Sequence, residues 1–133
     1  MDAEGASSAR RSAHLVEGEL THEIIGACLE VRTELGRNYA ESVYRNAVML
    51  VLEEHGIRSE REYPVTVRFR GREVGTFRCD LLVEDRILVE IKAGRPLDAA
   101  CEAQLLSYLK ATGLRVGLLI HFGDRVTTKR MVL

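Results

Sequence analysis

The chain has no tryptophan, few other aromatic residues and no excess of either charge, and each absence excludes a class of function. Phenylalanine and tyrosine make up 5% of its 133 residues, which argues against an aromatic platform for stacking nucleic-acid bases. Nineteen basic residues oppose twenty acidic ones, giving a net charge of −1. The chain therefore does not coat nucleic acid by bulk charge alone, although a local basic surface is compatible with this balance.

Long apolar runs and closely spaced cysteines are missing as well. No apolar run approaches the roughly 20 residues that span a bilayer, and the acidic N-terminus does not resemble a signal peptide. The cysteines Cys28, Cys79 and Cys101 are far apart, which excludes a zinc site built from close pairs. Three buried, reduced thiols are the expectation, in a cytoplasmic protein without a membrane span.

Hydrophobic patterning separates a short leader from one domain. Residues 1–19 are rich in small and charged residues and predict a flexible leader or a short irregular helix. Residues 20–133 are predicted to form a single domain. Apolar residues recur at helical spacing in three stretches, each with a suitable N-cap, acidic first turn or terminating glycine. The predicted helices span residues 21–35, 40–55 and 98–112.

The remaining patterns predict strands. From Tyr63 onward, Val65, Val67 and Phe69 alternate with polar residues, which is typical of a strand with one wet face. Short turns join this strand to two more, so these three are predicted to form an antiparallel meander. A helix between the third and fourth strands favours a parallel crossover. The predicted fold class is α/β, a mixed β-sheet flanked by helices in the order ααβββαββ, with strands at 63–69, 73–83, 87–93, 115–122 and 126–133.

Two carboxylates stand out against this strand background. Aspartate is disfavoured in strands, yet Asp80 directly precedes an apolar run, and on the next strand Glu90 and Lys92 share one face. Pairing about a turn at Asp85 sets Asp80 opposite Glu90. Carboxylates about 4 Å apart repel by roughly 4 kcal/mol, which a proton, Lys92 or a divalent cation would offset. Mg²⁺ suits such a site because it takes one or two carboxylates together with waters and phosphate oxygens.

Ordinary surface chemistry explains the same residues, so on the residues alone both explanations stay open. An aspartate beside a turn and a Glu/Lys pair on a wet face are common. Glu41 is better explained by the dipole of the helix that it opens, and Gln104 and Tyr108, four residues apart, by a polar rim beside the core. A solvated sheet face accounts for six arginines as well as a phosphate-tracking surface does: Arg58, Arg61, Arg68, Arg70, Arg72 and Arg78.

Taken in order, these residues resemble a known active-site pattern. Asp80, then Glu90-Ile91-Lys92, then Gln104 with Tyr108 on the next helix, resembles the PD-(D/E)XK nuclease superfamily in its RecB-like form. More closely, the chain resembles the small bacterial GxxExxY family from about Leu20 to Leu133. The glycine of that family's motif is Asn38 here, and asparagine is the best substitute for glycine in a left-handed position.

The resemblance implies a nuclease core and a set of roles. The acids Asp80 and Glu90 would be the metal ligands, joined by the main-chain carbonyl of Ile91. Lys92 would be the catalytic lysine. The other implied site residues are Glu41 as the helix-borne acid and Gln104 as the trailing glutamine. Tyr108, which completes the trailing motif, and Arg78, from the arginine cluster, are the predicted substrate-binding residues.

The function implied is enzymatic: a Mg²⁺- or Mn²⁺-dependent nuclease that hydrolyses phosphodiester bonds, with DNA favoured over RNA as its nucleic-acid partner. The chain carries no motif of a separate reading domain, so little intrinsic sequence specificity is expected unless a protein partner or a second copy supplies it. A symmetric homodimer is one option for a small sheet with open edges. The alternative is a catalytically silent nuclease-fold module that binds nucleic acid or protein.

Overall fold

The computed structural model describes the backbone of residues 2–133 and the side chains of residues 17–133. Within these residues, three helices and five strands follow one another in the order predicted from the sequence, ααβββαββ. The helices are α1 (Asp2–Leu35), α2 (Glu41–Glu54) and α3 (Ala99–Thr112). The strands are β1 (Ser59–Phe69), β2 (Arg72–Val83), β3 (Ile87–Ala93), β4 (Val116–Phe122) and β5 (Val126–Val132).

The strands form one mixed sheet in the order β1-β2-β3-β4-β5. Neighbours pair antiparallel except β3 and β4, which run parallel and are joined through α3. A parallel pair needs such a crossover because its strands start at the same end of the sheet. The predicted mixed α/β fold, with its meander and crossover, is confirmed.

Helices cover both faces of the sheet and enclose two hydrophobic cores. On one face, called here the α1–α2 face, apolar residues of α1 and α2 pack against Leu81, Val89 and other inward strand residues. On the opposite α3 face, Leu105 and Leu109 of α3 pack against Leu88 and their neighbours. Because both faces are covered, β4 is buried along its whole length, as its continuous apolar sequence predicts.

The first helix departs from the sequence prediction. Thr21, predicted as its N-cap, instead lies inside α1 with its side chain buried and its hydroxyl without a hydrogen-bond partner. A local capping signal does not stop a helix when the residues before it are also good helix formers. Most of the predicted leader, residues 1–16, lies outside the part of the chain whose side chains are described.

Other local predictions fare better. Asn38 occupies the left-handed region with φ 69°, and Asp98 caps α3 by accepting a hydrogen bond from the Cys101 backbone N–H at 2.9 Å. All three cysteines are free, but Cys101 is only half-buried, so the prediction of three buried thiols is wrong for that residue. Within the described residues, no helix is both long enough and apolar enough to cross a membrane.

Candidate active site

The site is built where β2 and β3 separate. Three residue pairs set their register, from Val83 opposite Ile87 to Leu81 opposite Val89, which is the register predicted by pairing about Asp85. The ladder stops one residue before Asp80 and Glu90 would meet. Beyond that point, hydrogen bonds from backbone N–H groups to the two carboxylates take the place of the backbone ladder.

The carboxylates of Asp80 and Glu90 each accept a hydrogen bond from the backbone of the opposite strand. The Asp80 backbone N–H donates to Glu90 Oε1 at 3.0 Å, and the Ile91 N–H donates to Asp80 Oδ2 at 2.7 Å. Each carboxylate therefore uses one oxygen to satisfy the neighbouring strand and retains the other. The predicted juxtaposition of the two acids is present, and it depends on the gap in the ladder.

A rotation of β2 at Asp80 opens this gap. Leu81 packs into the core of the α1–α2 face and Leu82 into that of the α3 face. Regular alternation would place Cys79 with Leu81, yet Cys79 packs on the α3 face. Opposite Asp80, Glu62 of β1 has φ 51° and the β1–β2 pairing skips both residues. The strand face thus switches at the acid itself, as irregular strand positions near functional sites often do.

Burial and mutual repulsion disfavour the ionised form of both acids. Glu90 is 5% exposed, and burial first, then the charge of Asp80, raises the pKa of its carboxyl. Burial likewise raises the pKa of Asp80, with the Ile91 N–H and the charge of Lys92 acting against it. Two desolvated carboxylates side by side need a compensating cation or a proton.

Lys92 supplies part of that compensation. Its Nζ lies 3.6 Å from Glu90 Oε2, and its side chain is 27% exposed. Burial alone would lower the pKa of Lys92, but the charges of Glu90 and Glu41 outweigh it and raise that pKa. Lys92 is therefore a charged ammonium at neutral pH, with its head group at the edge of the acid pair.

The two flanking helices bring Glu41 and Gln104 to the same place. Glu41 lies in the first turn of α2, and its Oε2 accepts a hydrogen bond from the Ala93 backbone N–H at 3.0 Å. Glu41, Lys92 and Gln104 line one open cavity of about 490 Å³ at the end of β3. The structure thus brings Glu41, Asp80, Glu90, Lys92 and Gln104 together.

The two predicted substrate-binding residues sit differently. Tyr108 on α3 is 5% exposed, with its ring centroid 6.0 Å from that of Phe77. It packs in the core of the α3 face, where burial, followed by the charge of Glu90, raises the pKa of its phenol. Arg78 is exposed on β2, two residues from Asp80, and is not among the residues that line the cavity.

Sequence reasoning missed one basic residue in the site. Arg45 lies one helical turn after Glu41, its side chain is only 13% exposed, and its Nη1 is 3.9 Å from Glu62 Oε1. Its charge acts to lower the pKa of Asp80, although burial of that carboxyl outweighs it. The i, i+4 spacing from Glu41 is the signal that would have identified it.

The donor set suits a hard divalent cation held by few protein ligands. Among the side chains described, no group of three or more His, Cys, Asp and Glu residues converges on one point. Mg²⁺ needs only one or two carboxylates because it keeps several waters, and Asp80 and Glu90 offer that number, each with an oxygen not used by the backbone. The residues therefore fit Mg²⁺ or Mn²⁺. Ligation by the carbonyl of Ile91 stays a prediction.

Cys79 lies beside the acids but is not a nucleophile. Its thiol donates to the Val89 carbonyl at 3.4 Å, and burial together with the charge of Glu90 raises its pKa far above the ordinary value. A thiol that stays protonated at neutral pH is unreactive. The carboxylates and Lys92 are therefore the candidate reactive groups of the site.

Comparisons with known proteins agree with this geometry. The chain's fold matches that of the crystal structure of SSO0001 with a TM-score of 0.54 and 21% identity, over 68% of this chain and 48% of that one. The match thus spans about half the length of SSO0001 and concerns the fold alone. No curated protein matches the chain significantly. The family model of the PD-(D/E)XK nuclease superfamily matches residues 18–131. This range includes Asp80, Glu90 and Lys92 and all five strands apart from the last residue of β5. This chain therefore belongs to the PD-(D/E)XK nuclease superfamily.

Proposed function

We propose that the chain is a divalent-metal-dependent nuclease that hydrolyses phosphodiester bonds in DNA. The observation that carries the proposal is the Asp80–Glu90 pair. Glu90 accepts from the Asp80 backbone N–H, Asp80 accepts from the Ile91 backbone N–H, and Lys92 Nζ lies 3.6 Å from Glu90 Oε2. A protein that needed these positions only for folding would gain by replacing them with apolar residues. Membership of a nuclease superfamily and the cavity beside Lys92 support the same reading.

The reaction would be hydrolysis at phosphorus. Water oxygen forms a new bond to phosphorus, one phosphorus–oxygen ester bond breaks, and the proton released by water ends on the departing oxygen through solvent. A divalent cation bound by Asp80 and Glu90 would supply charge compensation and an acidified water. Mg²⁺ or Mn²⁺ fits the donor set.

The side chains of the site would each hold or neutralise a defined group. Lys92, charged and only partly exposed, would bind a non-bridging phosphate oxygen or orient the attacking water. Glu41 fixes the end of β3 through the Ala93 N–H, which positions Lys92 one residue earlier. Gln104, which lines the same cavity as Lys92, would donate to the phosphate or to the water.

The finer assignments belong to the same proposal. The order of Glu41, Asp80, Glu90-Ile91-Lys92 and Gln104 supports placement in the GxxExxY family with a RecB-like site. In the part of the chain that the structure describes, the elements around the carboxylates are the sheet and helices of the nuclease-like fold, which supports cleavage with little intrinsic sequence specificity. Selectivity would then come from a second copy of the chain or from a protein partner.

The experiment is cleavage of plasmid and oligonucleotide DNA by purified protein with Mg²⁺ or Mn²⁺ and with chelator. Asp80→Asn and Lys92→Ala are expected to lower the rate at least a hundredfold. Asp85→Asn and Lys129→Ala make the same chemical changes at exposed positions and are expected to cut like the unmodified protein. Equal rates in the Asp80 and Lys92 variants would show that the activity is a contaminant. A metal-binding protein that cuts nothing would favour the silent interaction module.

A further inference from the structure

The β1–β2 hairpin extends well beyond the rest of the sheet. The third strand accompanies β2 only at residues 81–83, whereas β1 and β2 remain paired out to Phe69 and Arg72. We call residues 63–79 the arm. Its base packs on α3 through Val65 and Cys79, but every residue from 66 to 78 is exposed or half-buried. The arm is therefore a two-stranded ribbon standing in solvent.

The arm is positively charged, although the chain as a whole has a slight excess of negative charge. It contains four arginines and one glutamate, a net charge of +3, although the whole chain carries −1. The four arginines have no hydrogen-bond or ion-pair partner among the described side chains. Uncompensated guanidinium groups on an exposed ribbon are available to bind an anion. They are Arg68, Arg70, Arg72 and Arg78.

One face of the arm continues from the carboxylate site. Phe77 lies beside Tyr108 on the α3 face, so Arg78, the next residue, lies on the opposite face by strand alternation. Arg78 pairs with Pro64, and Arg68, four residues along β1, returns to that same face about 13 Å further out. Arg78 is itself two residues from Asp80. Arg78 and Arg68 thus lie in line on one face of the arm, at increasing distance from the acids.

The tip adds aromatic surface and more charge. Phe69 is 57% exposed, and the Arg70 guanidinium lies 4.9 Å from the centroid of its ring. A shift in pairing between Val67 and Arg68 increases the local twist of the ribbon. Counting from Asp80 to the tip, the arm reaches about 26 Å at 3.3 Å per residue, which is the length of about eight base pairs.

We infer that the arm binds the sugar–phosphate backbone of the nucleic acid outside the cleaved bond, without regard to sequence. This inference rests on the proposed function, since it gives the carboxylate site its substrate contacts. A second copy of the chain is the other candidate occupant, because Phe69, Val74 and Phe77 are exposed. Charge decides against it: two arms of net charge +3 repel each other, whereas a polyanion complements them.

The test is the salt dependence of DNA binding in chelator, where no cleavage occurs. Fluorescence anisotropy on a 20-base-pair duplex and on a 20-nucleotide single strand compares the unmodified chain with the double variant Arg68→Ala/Arg78→Ala. Loss of two phosphate contacts is expected to reduce the slope of log K against log salt by about 1.8 on the duplex, or about 1.4 on the single strand. Affinity at low salt should fall at least tenfold.

The double variant Arg86→Ala/Arg115→Ala is the matched control. It removes the same charge from exposed residues at the opposite end of the sheet and is expected to bind like the unmodified chain. Equal losses in both double variants, or none in the arm variant, would overturn the inference. So would a dimer, seen by sedimentation, that the arm variant abolishes. Retained binding without any cleavage would refute the proposed nuclease while leaving the arm assignment intact.

Discussion

Replacing Glu90 by glutamine is expected to make the protein more stable and inactive at once. Glutamine keeps the shape of the side chain and the acceptor for the Asp80 N–H, which now meets Glu90 Oε1 at 3.0 Å. It removes the charge of a carboxylate that is 5% exposed and whose pKa is raised by burial and by Asp80. The variant therefore corresponds to the protonated form, which the folded state favours.

The magnitude follows from terms of opposite sign. Two like unit charges about 4 Å apart repel by roughly 4 kcal/mol at an effective dielectric of 20, which sets the scale of the repulsion between Asp80 and Glu90. Attraction to Lys92 at 3.6 Å is worth about as much at the same dielectric, so the two nearly cancel. What remains is the desolvation of one carboxylate. We expect Glu90→Gln to raise the free energy of unfolding by about 1 to 2 kcal/mol, a few degrees in Tm for a domain of this length.

The upward direction of the shift in the pKa of Glu90 also predicts how the stability of the protein depends on pH. A carboxyl whose pKa is raised in the folded state contributes full stability below its unfolded pKa near 4.3 and loses that contribution as pH rises through the folded value. The stability gain of Glu90→Gln should therefore be present at neutral pH and vanish near pH 4.

The assay is urea or thermal unfolding of metal-free protein at pH 7 and pH 4. Glu102→Gln is the control, because Glu102 pairs with Lys129 at 2.9 Å on the surface, where losing an ion pair costs about 0–1 kcal/mol. If Glu90→Gln lowered the unfolding free energy by 1 kcal/mol or more at pH 7, Glu90 would be a structural ion-pair partner and the reasoning would be wrong.

Three further outcomes test other parts of the structure. Lys92→Met should lose cleavage but bind Mn²⁺ at least as tightly as the unmodified chain in calorimetry, because the competing ammonium group 3.6 Å from Glu90 is removed. Weaker Mn²⁺ binding would show that Lys92 helps to hold the metal site together. Gly117→Ala should lower the free energy of unfolding in urea by about 1–3 kcal/mol, because the new Cβ would lie 2.8 Å from Leu105 Cδ2. Gly26→Ala is the control: its Cβ meets open space on α1, so this variant should be more stable than the unmodified chain. An unchanged stability of Gly117→Ala would contradict the packing of Leu105 against Gly117. A thiol reagent at pH 8 should label only Cys101 quickly. Burial raises the pKa of Cys28 to about 12 and that of Cys79 further, so both of these thiols stay protonated. Fast labelling of a second thiol would refute the burial of Cys28 and Cys79.

Much of the site could be predicted because it depends on local sequence. The turn at Asp85 fixes the register of β2 against β3, and counting residues from it places Asp80 opposite Glu90. The helical position of Gln104 follows from the Asp98 cap in the same way. Such relations survive because the elements are short and joined by tight turns.

Other features of the site and the arm depend on which elements lie next to each other in the folded chain, and the local sequence does not show this. The alternation that identifies β1 does not say where β3 stops following β2, so neither the gap at Asp80 nor the free length of the arm could be read from the sequence. Thr21 carries a good capping signal, but the helix passes through it because helix-forming residues precede it. Arg45 was missed because its charge becomes significant only when Asp80 and Glu62 are brought beside it.

Calorimetric titration of metal-free protein with Mn²⁺ tests the central claim most directly, which is that Asp80 and Glu90 jointly hold a divalent cation. We expect saturable binding to the unmodified chain, loss of that binding in both Asp80→Asn and Glu90→Gln, and unchanged binding in Asp85→Asn. Binding of equal affinity in all four proteins, or none in the unmodified chain, would contradict it.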